Sequence, residues 1–206
     1  MRRHTELVHI FIIYSCLSTL TVSDFYRSLV EALGGQPSFR KPDNFRSIQE
    51  EIRRLSLEKK KTPVIIIDEA SYVGNAILND LKLLFNFEMD SRDPAVVLLC
   101  GLGQLNNTLR LSVHEPLRQR LVMNFHMDGM TKEEGRAFIS TKLKGAGCRH
   151  AVFDEAAIEA ILNASDGTPR VVCRLCSQSL LCADARHMDL VDADTVMQAI
   201  NDCELG

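Results

Sequence analysis

Between Lys61 and Ala70 the chain reads KTPVIIIDEA, four β-branched residues, Val64 to Ile67, running straight into two adjacent carboxylates. An apolar run without polar alternation suits a strand buried on both faces, the pattern of a parallel sheet covered by helices. Such a strand predicts Asp68 and Glu69 at the C-terminal edge of the sheet, which is where open α/β sheets bind ligands. The bland alternative is an acidic turn closing an ordinary strand.

A chain of 206 residues, 46% of them hydrophobic, has material for one sizeable core or two small ones. A formal net charge of −3 supplies no overall attraction to nucleic acid, so a DNA contact requires a local basic face. Seven cysteines without a disulfide spacing fit free thiols in a reducing compartment, and the expected location is cytoplasmic. Cys173 and Cys176, with Cys182 beyond, have a spacing that matches one face of a predicted helix, and no second pair follows, which favours packing over metal binding. Met1-Arg2-Arg3 before the apolar run Leu7 to Leu20 imitates a secretory leader, yet His9, Tyr14 and several hydroxyls interrupt it. Val8 to Cys16 is therefore expected as a strand, with no membrane span.

Further along, Thr21 to Asp24 reads as a helix start with Phe25, Leu29 and Leu33 on one face, ended by Gly34-Gly35. A loop with two prolines, Gln36 to Asp43, precedes a helix from about Asn44 to Lys60. After the strand Val64 to Ile67 come a helix from about Asn75 to Met89 and a strand from Ala95 to Gly101. A short helix at Glu115 to Arg120 then leads to a last expected strand, Leu121 to Met127. Beyond that only helices are expected: Thr131 to Lys144, Asp154 to Ser165, Thr168 to about Arg186, and Asp192 to Asp202. Thr131 with Glu134 has the spacing of a capping box. The predicted division is thus 1–128, α/β, and 129–206, all helical.

An aspartate at the Asp68 position can hold Mg²⁺, and a glutamate beside it can polarise a water for phosphoryl transfer. The strand at 95–101 ends in Gly101-Leu102-Gly103-Gln104, where an amide is suited to sense a γ-phosphate or simply to close a polar turn. Arg118 and Arg120 stand where a guanidinium could reach a neighbouring subunit's nucleotide, or lie on a solvated helix face. In Gly167-Thr168-Pro169-Arg170 the glycine closes one helix, the threonine is placed to cap the next, and Arg170 falls in a first turn, unfavourable for a cation unless it faces an anion.

In this order the motifs resemble the AAA+ ATPases, and within them the group that holds the type II secretion ATPase and the helper ATPases of bacterial transposons. VIIIDEA resembles Walker B, GLGQL the sensor 1 loop, and EPLRQRL the arginine-finger region. MTKEEGRAFISTKLKGAG, FDEAAIEAILNASDGTPR and VCRLCSQSLLCAD resemble the helical lid. The resemblance implies ATP and Mg²⁺ as cofactors, Asp68 on the metal, Glu69 as water activator, and Gln104 on the γ-phosphate or water. It further implies Arg120 acting in trans, with Arg118 in reserve, and Arg170 reaching ATP from the lid. Implied partners are further copies or full-length relatives, a transposase and DNA. The group often has proline where Gly103 stands.

The group's phosphate grip, G-x-x-x-x-G-K-[ST], is missing: of eleven glycines none precedes a lysine. The resemblance puts that loop, its strand and its helix ahead of the segment Val8 to Leu33, and the chain is expected to lack them. What is expected, then, is an α/β parallel-sheet P-loop NTPase core of AAA+ type without its first strand and P-loop, followed by an all-helical lid. The resemblance also lays the missing strand between 95–101 and 121–127, so that either these two close up or the α/β part is strained.

Overall fold

A computed structural model describes residues 10–14, 21–87 and 94–204. Its contacts divide the chain into two units at Asn124/Phe125, four residues before the break in the sequence pattern. Val8, His9, Ser15 and Cys16 of the first expected strand and Glu88 and Met89 of the third expected helix lie outside the described residues.

In the first unit β1 (Ile10–Tyr14), β2 (Val64–Asp68) and β3 (Val96–Leu99) form a parallel sheet in that order. The register pairs Tyr14 with Asp68, and Ile67 with both Ile13 and Leu99. Parallel neighbours need helical crossovers. They are provided by α1 (Val22–Ala32) and α2 (Lys41–Arg53) before β2, and by α3 (Asn75–Leu84) before β3. The Thr21 hydroxyl caps α1 by accepting from the Asp24 amide. Pro42 sits in the first turn of α2, where its missing N–H costs nothing, so this helix begins three residues earlier than its apolar periodicity suggests. At its far end α2 widens into one π-type turn, Arg54–Glu58, closed by the Lys59 amide on the Arg54 carbonyl.

One face of the sheet builds the core. Ile65 and Ile67 are fully buried against Phe25 and Leu29 of α1, Ile48 and Ile52 of α2, and Leu78 and Leu81 of α3. Polar ties add to this packing: the Lys41 ammonium lies 5.2 Å over the Tyr26 ring and 2.5 Å from Asp80. Burial and the neighbouring Asp80 charge push the Tyr26 phenol well above its usual range.

The other face departs from the expected two-sided cover. Val96 and Leu98 are 50% and 47% exposed, and Val64 and Ile66 are only half-buried. A second departure is at Leu121 to Met127, which forms no strand. These residues take no regular secondary structure, with Val122 99%, Met123 82%, Phe125 80% and Met127 82% exposed. Among the described strands β3 therefore lies at the edge, and the two expected neighbours do not close on each other. The sequence reading also passed over a helix: α4 (Gln104–Arg110) starts within the expected GLGQL loop and runs on where no element was assigned, burying Leu105 and Leu109, and is followed by the short α5 (Glu115–Arg118).

The second unit contains α6 (Lys132–Gly145), α7 (Glu155–Ser165), α8 (Pro169–Ala185) and α9 (Ala193–Glu204). Ile139, Ile161, Val172, Leu175 and Val196 make its core, joined by a single bridge between Phe153 and Val191. The capping box is formed, the Glu134 carboxylate accepting from the Thr131 amide and the Thr131 hydroxyl from the Glu134 amide. Those Thr131 contacts hold the Glu134 carboxyl below its usual range. Asp192 caps α9 by accepting from the Thr195 amide, and its bonds with Thr195 hold its carboxyl below the usual range. Among the described residues no helix is long and apolar enough to cross a membrane.

Two outcomes follow from this packing. Ile67→Ala should cost about 2–5 kcal/mol in urea unfolding, whereas Leu98→Ala on the open face of the same sheet should cost less than about 1 kcal/mol. Because the Glu134 carboxyl is lowered in the folded state, its contribution is present above the unfolded value of 4.5 and is lost as pH falls through the folded value. Melting curves of wild type and Glu134→Gln should accordingly differ at neutral pH and converge under acid conditions.

Candidate functional site

Asp68 is the last residue of β2, so the sheet itself delivers its carboxylate to the C-terminal edge. There the chain turns sharply. Glu69 has φ 53 and ψ 34, the left-handed region that a residue with a Cβ enters only when its surroundings hold it there. Two hydrogen bonds do so. The Glu69 amide donates to Asp68 Oδ1 at 2.9 Å, and the next amide, of Ala70, donates to the Cys100 carbonyl beyond β3 at 2.7 Å. Asp68 is half-buried as a result, and Glu69 is exposed.

A side chain that the sequence reading passed over completes this arrangement. Ser71 Oγ accepts from the Leu102 amide at 2.7 Å, pinning the 100–102 loop beside the carboxylates across 31 residues of sequence. Gly101 makes the approach possible. A Cβ there would stand 2.6 Å from Ser71 Oγ and 3.0 Å from the Ser71 amide nitrogen. The available sequence signal was a glycine at the end of one apolar strand together with a small hydroxyl residue three positions after the aspartate on the other.

Gln104 opens α4 two residues beyond this latch and is exposed. The structure thus brings Asp68, Glu69 and the loop leading to Gln104 to one sheet edge. Arg118 is engaged within its own unit, donating to Glu115 Oε2 at 2.7 Å and to the Arg110 carbonyl at 3.1 Å. Arg120 follows α5 and is half-buried. His114, fully buried, ties this region to the start of α3 through Nε2 and Asn75 Oδ1, 2.9 Å apart.

Arg170 belongs to the second unit, in the first turn of α8, exposed and without an ion-pair partner among the described residues. Its position depends on a backbone crossing. Gly167 has φ 68, and a Cβ on it would lie 2.3 Å from the Met130 carbonyl oxygen, while the Met130 amide donates to the Gly167 carbonyl at 2.8 Å. Thr168 occupies the cap position but makes no side-chain capping bond. Cys173, Cys176 and Cys182 all lie on α8, and burial pushes the Cys176 thiol up to about 11. A shallow cavity of about 260 Å³ lies between α1 and α2, lined by Val30, Leu33, Ser47 and Arg54 and by none of the site residues.

A parallel sheet that carries an acidic pair at its C-terminal edge, beside a polar loop from the next strand, is the ligand-binding edge of an open α/β sheet, and the comparisons give it the P-loop NTPase fold of AAA+ type. The family model for the AAA domain matches residues 2–109, just over half of the chain, and the chain belongs to that family. Among curated proteins it is 30% identical over 131 residues to General secretion pathway protein A of Aeromonas hydrophila, covering 64% of this chain and 24% of that protein. It is 25% identical over 146 residues to an uncharacterized HTH-type transcriptional regulator of Methanocaldococcus jannaschii, covering 68% of this chain and 35% of that protein. The chain therefore spans about a quarter to a third of these relatives.

Solved structures with the same fold include the ORC2 protein of Aeropyrum pernix in its ADPNP and ADP complexes, with TM-score 0.65, 16% identity, and coverage of 95% of this chain and 52% of that one. The ORC1 protein of the same organism, in complex with DNA, gives a TM-score of 0.62 at 17% identity over 96% of this chain and 51% of that one. The RuvB branch migration motor of Thermotoga maritima gives 0.54 at 20% identity over 95% of this chain and 61% of that one.

If the latch holds the site together, Ser71→Ala should lower stability by about 0.5–1.5 kcal/mol and Gly101→Ala by about 1–3 kcal/mol. Both changes break one contact, so the double variant measured by chemical denaturation should lose less than the sum of the two.

Proposed function

We propose that this chain acts as an AAA assembly module of the DNA-transposition helper type, and that these 206 residues by themselves bind and hydrolyse ATP poorly or not at all. The observation that carries this reading is a site built on one side only. The carboxylates and the sensor-like loop are locked together by the Ser71–Leu102 hydrogen bond, whereas no glycine of the chain leads into the lysine that grips phosphate. Mg²⁺ is commonly held by one or two carboxylates together with waters and substrate phosphates, so the Asp68 carboxylate would need a bound nucleotide to complete the coordination. Mg²⁺·ATP thus fits the acidic half of the site and lacks its cradle.

On this reading the roles implied for Asp68, Glu69, Gln104, Arg120 and Arg170 depend on phosphate-binding elements beyond those present here. What the chain retains is surface for assembly, with further copies or full-length relatives, a transposase and DNA as partners. A secretion-type ATPase fragment is the second reading, favoured by the 30% identity to General secretion pathway protein A.

Titration calorimetry with millimolar ATP and Mg²⁺ tests the proposal. The expected result is no heat of binding from the folded chain, and the same from Asp68→Ala/Glu69→Ala. Binding with a Kd below about 10 μM that the double variant loses would show that another part of the fold replaces the missing cradle. Binding of DNA or transposase unaffected by nucleotide supports the assembly role, and binding strictly dependent on ATP contradicts it.

A further inference from the structure

Helix α8 buries one side in the core of the second unit, through Val172, Leu175 and Ala183. Its opposite side carries two features that the unit itself does not use. The first is electrostatic. Arg170 stands in the first turn and Asp184 in the last, the reverse of what the helix dipole favours, since a cation is stabilised near the C-terminus and an anion near the N-terminus. Both are exposed, and neither has an ion-pair partner among the described residues. The second feature is apolar: Leu180 and Leu181 are 37% and 63% exposed.

These residues share one face. At 3.6 residues per turn, Arg170, Cys173, Leu181 and Asp184 fall within about 40° of the direction of Ser177, and Arg174 and Leu180 flank that line. All of them are exposed. About Ser177 the face is self-complementary. Arg170 and Asp184 stand seven residues to either side of it, Cys173 and Leu181 four, Arg174 and Leu180 three. When a second α8 lies antiparallel across the first with the two serines opposed, each position before the serine meets the position equally far after it. Arg170 of one copy then meets Asp184 of the other at both ends, Cys173 meets Leu181, and the aliphatic stem of Arg174 crosses Leu180. Antiparallel packing also brings each Arg170 to the C-terminus of the other helix and each Asp184 to the other N-terminus, so both reversed charges gain a favourable field. The serine is small, which lets the helices approach where they cross.

We propose that two copies of this chain form a two-fold dimer through the outer face of α8, with Ser177 on the axis. The occupant is a second copy because the face is complementary to itself, opposite charges and leucines being spaced evenly about one residue. Such an isologous contact closes on itself and does not propagate. A contact one helix long is at the small end of interface sizes, and its dissociation constant is expected in the micromolar range. The dimer gives a surface to the assembly with further copies proposed above and rests on that reading only for its role. The two are separable, because the dimer is measured with no nucleotide, DNA or transposase present.

The test is sedimentation velocity on the full chain over a concentration series in reducing buffer, with circular dichroism to check that each surface variant folds. The expected result is a reversible monomer–dimer equilibrium whose dissociation constant rises about tenfold or more in Leu181→Lys and in Asp184→Arg. The combined variant Arg170→Asp/Asp184→Arg should return to within about threefold of wild type, because the swapped charges again meet as opposites. A second measurement is disulfide cross-linking under mild oxidation in a Cys173→Ser background. Ser177→Cys, on the axis, should link two chains. Ala185→Cys, on the same helix but about 24 Å along it from its copy, should not. Four outcomes would overturn the proposal: a monomer at every concentration, a dimer indifferent to Leu181→Lys, a charge swap that fails to restore association, or equal linking at positions 177 and 185.

Discussion

The central strand carries the first unit. β2 is hydrogen-bonded on both sides, and its alternate residues Ile65 and Ile67 are fully buried under three helices. Because the strand is fixed on both edges, its last residue is fixed too, and Asp68 owes its place to the register that sets it beside Tyr14. The left-handed turn at Glu69 follows from the same constraint. The chain has to leave the strand steeply for the Ala70 amide to meet the Cys100 carbonyl, and a buried or half-buried amide without an acceptor would be costly. Local strain at the glutamate is thus balanced by a hydrogen bond between the ends of two strands.

The second unit is organised by a different device, close backbone contact. The Met130 main chain and Gly167 approach so nearly that only a residue without a Cβ fits, and the same two residues share a hydrogen bond. That crossing sets where α8 begins and so where Arg170 stands. Charged residues hold the outer surface, with Arg136 bridging Glu155 and Glu159 and Lys132 also on Glu159. Such exposed pairs contribute little to stability and serve mainly to keep this face solvated.

Much of the helical structure was legible because its signals are local. Thr21, Thr131 and Asp192 precede their helices as capping residues and cap them in the structure. Helix α4 was missed because QLNNTLR shows no capping side chain and only two apolar contacts, Leu105 and Leu109, which acquire meaning when the core closes over them. Thr168 has the right residue type for a cap and does not perform as one. At the site, the acidic pair was visible from the end of an apolar run, but Ser71 was not, since a serine in DEAS looks like any polar residue until Leu102 is brought to it.

By itself the sequence determined most of the helices, the three strands of the sheet and their parallel arrangement, and that two carboxylates emerge at its C-terminal edge. All of these depend on residue types within a few positions of one another. Only the tertiary structure decided which surfaces were used. Val96, Leu98 and the run from Leu121 to Met127 have the composition of buried strand yet stand open, because burial requires a partner and periodicity does not say who supplies it. The latch between Ser71 and the 100–102 loop was decided at the same level. It joins backbone and side chain 31 residues apart, a distance over which only the closed fold specifies contact.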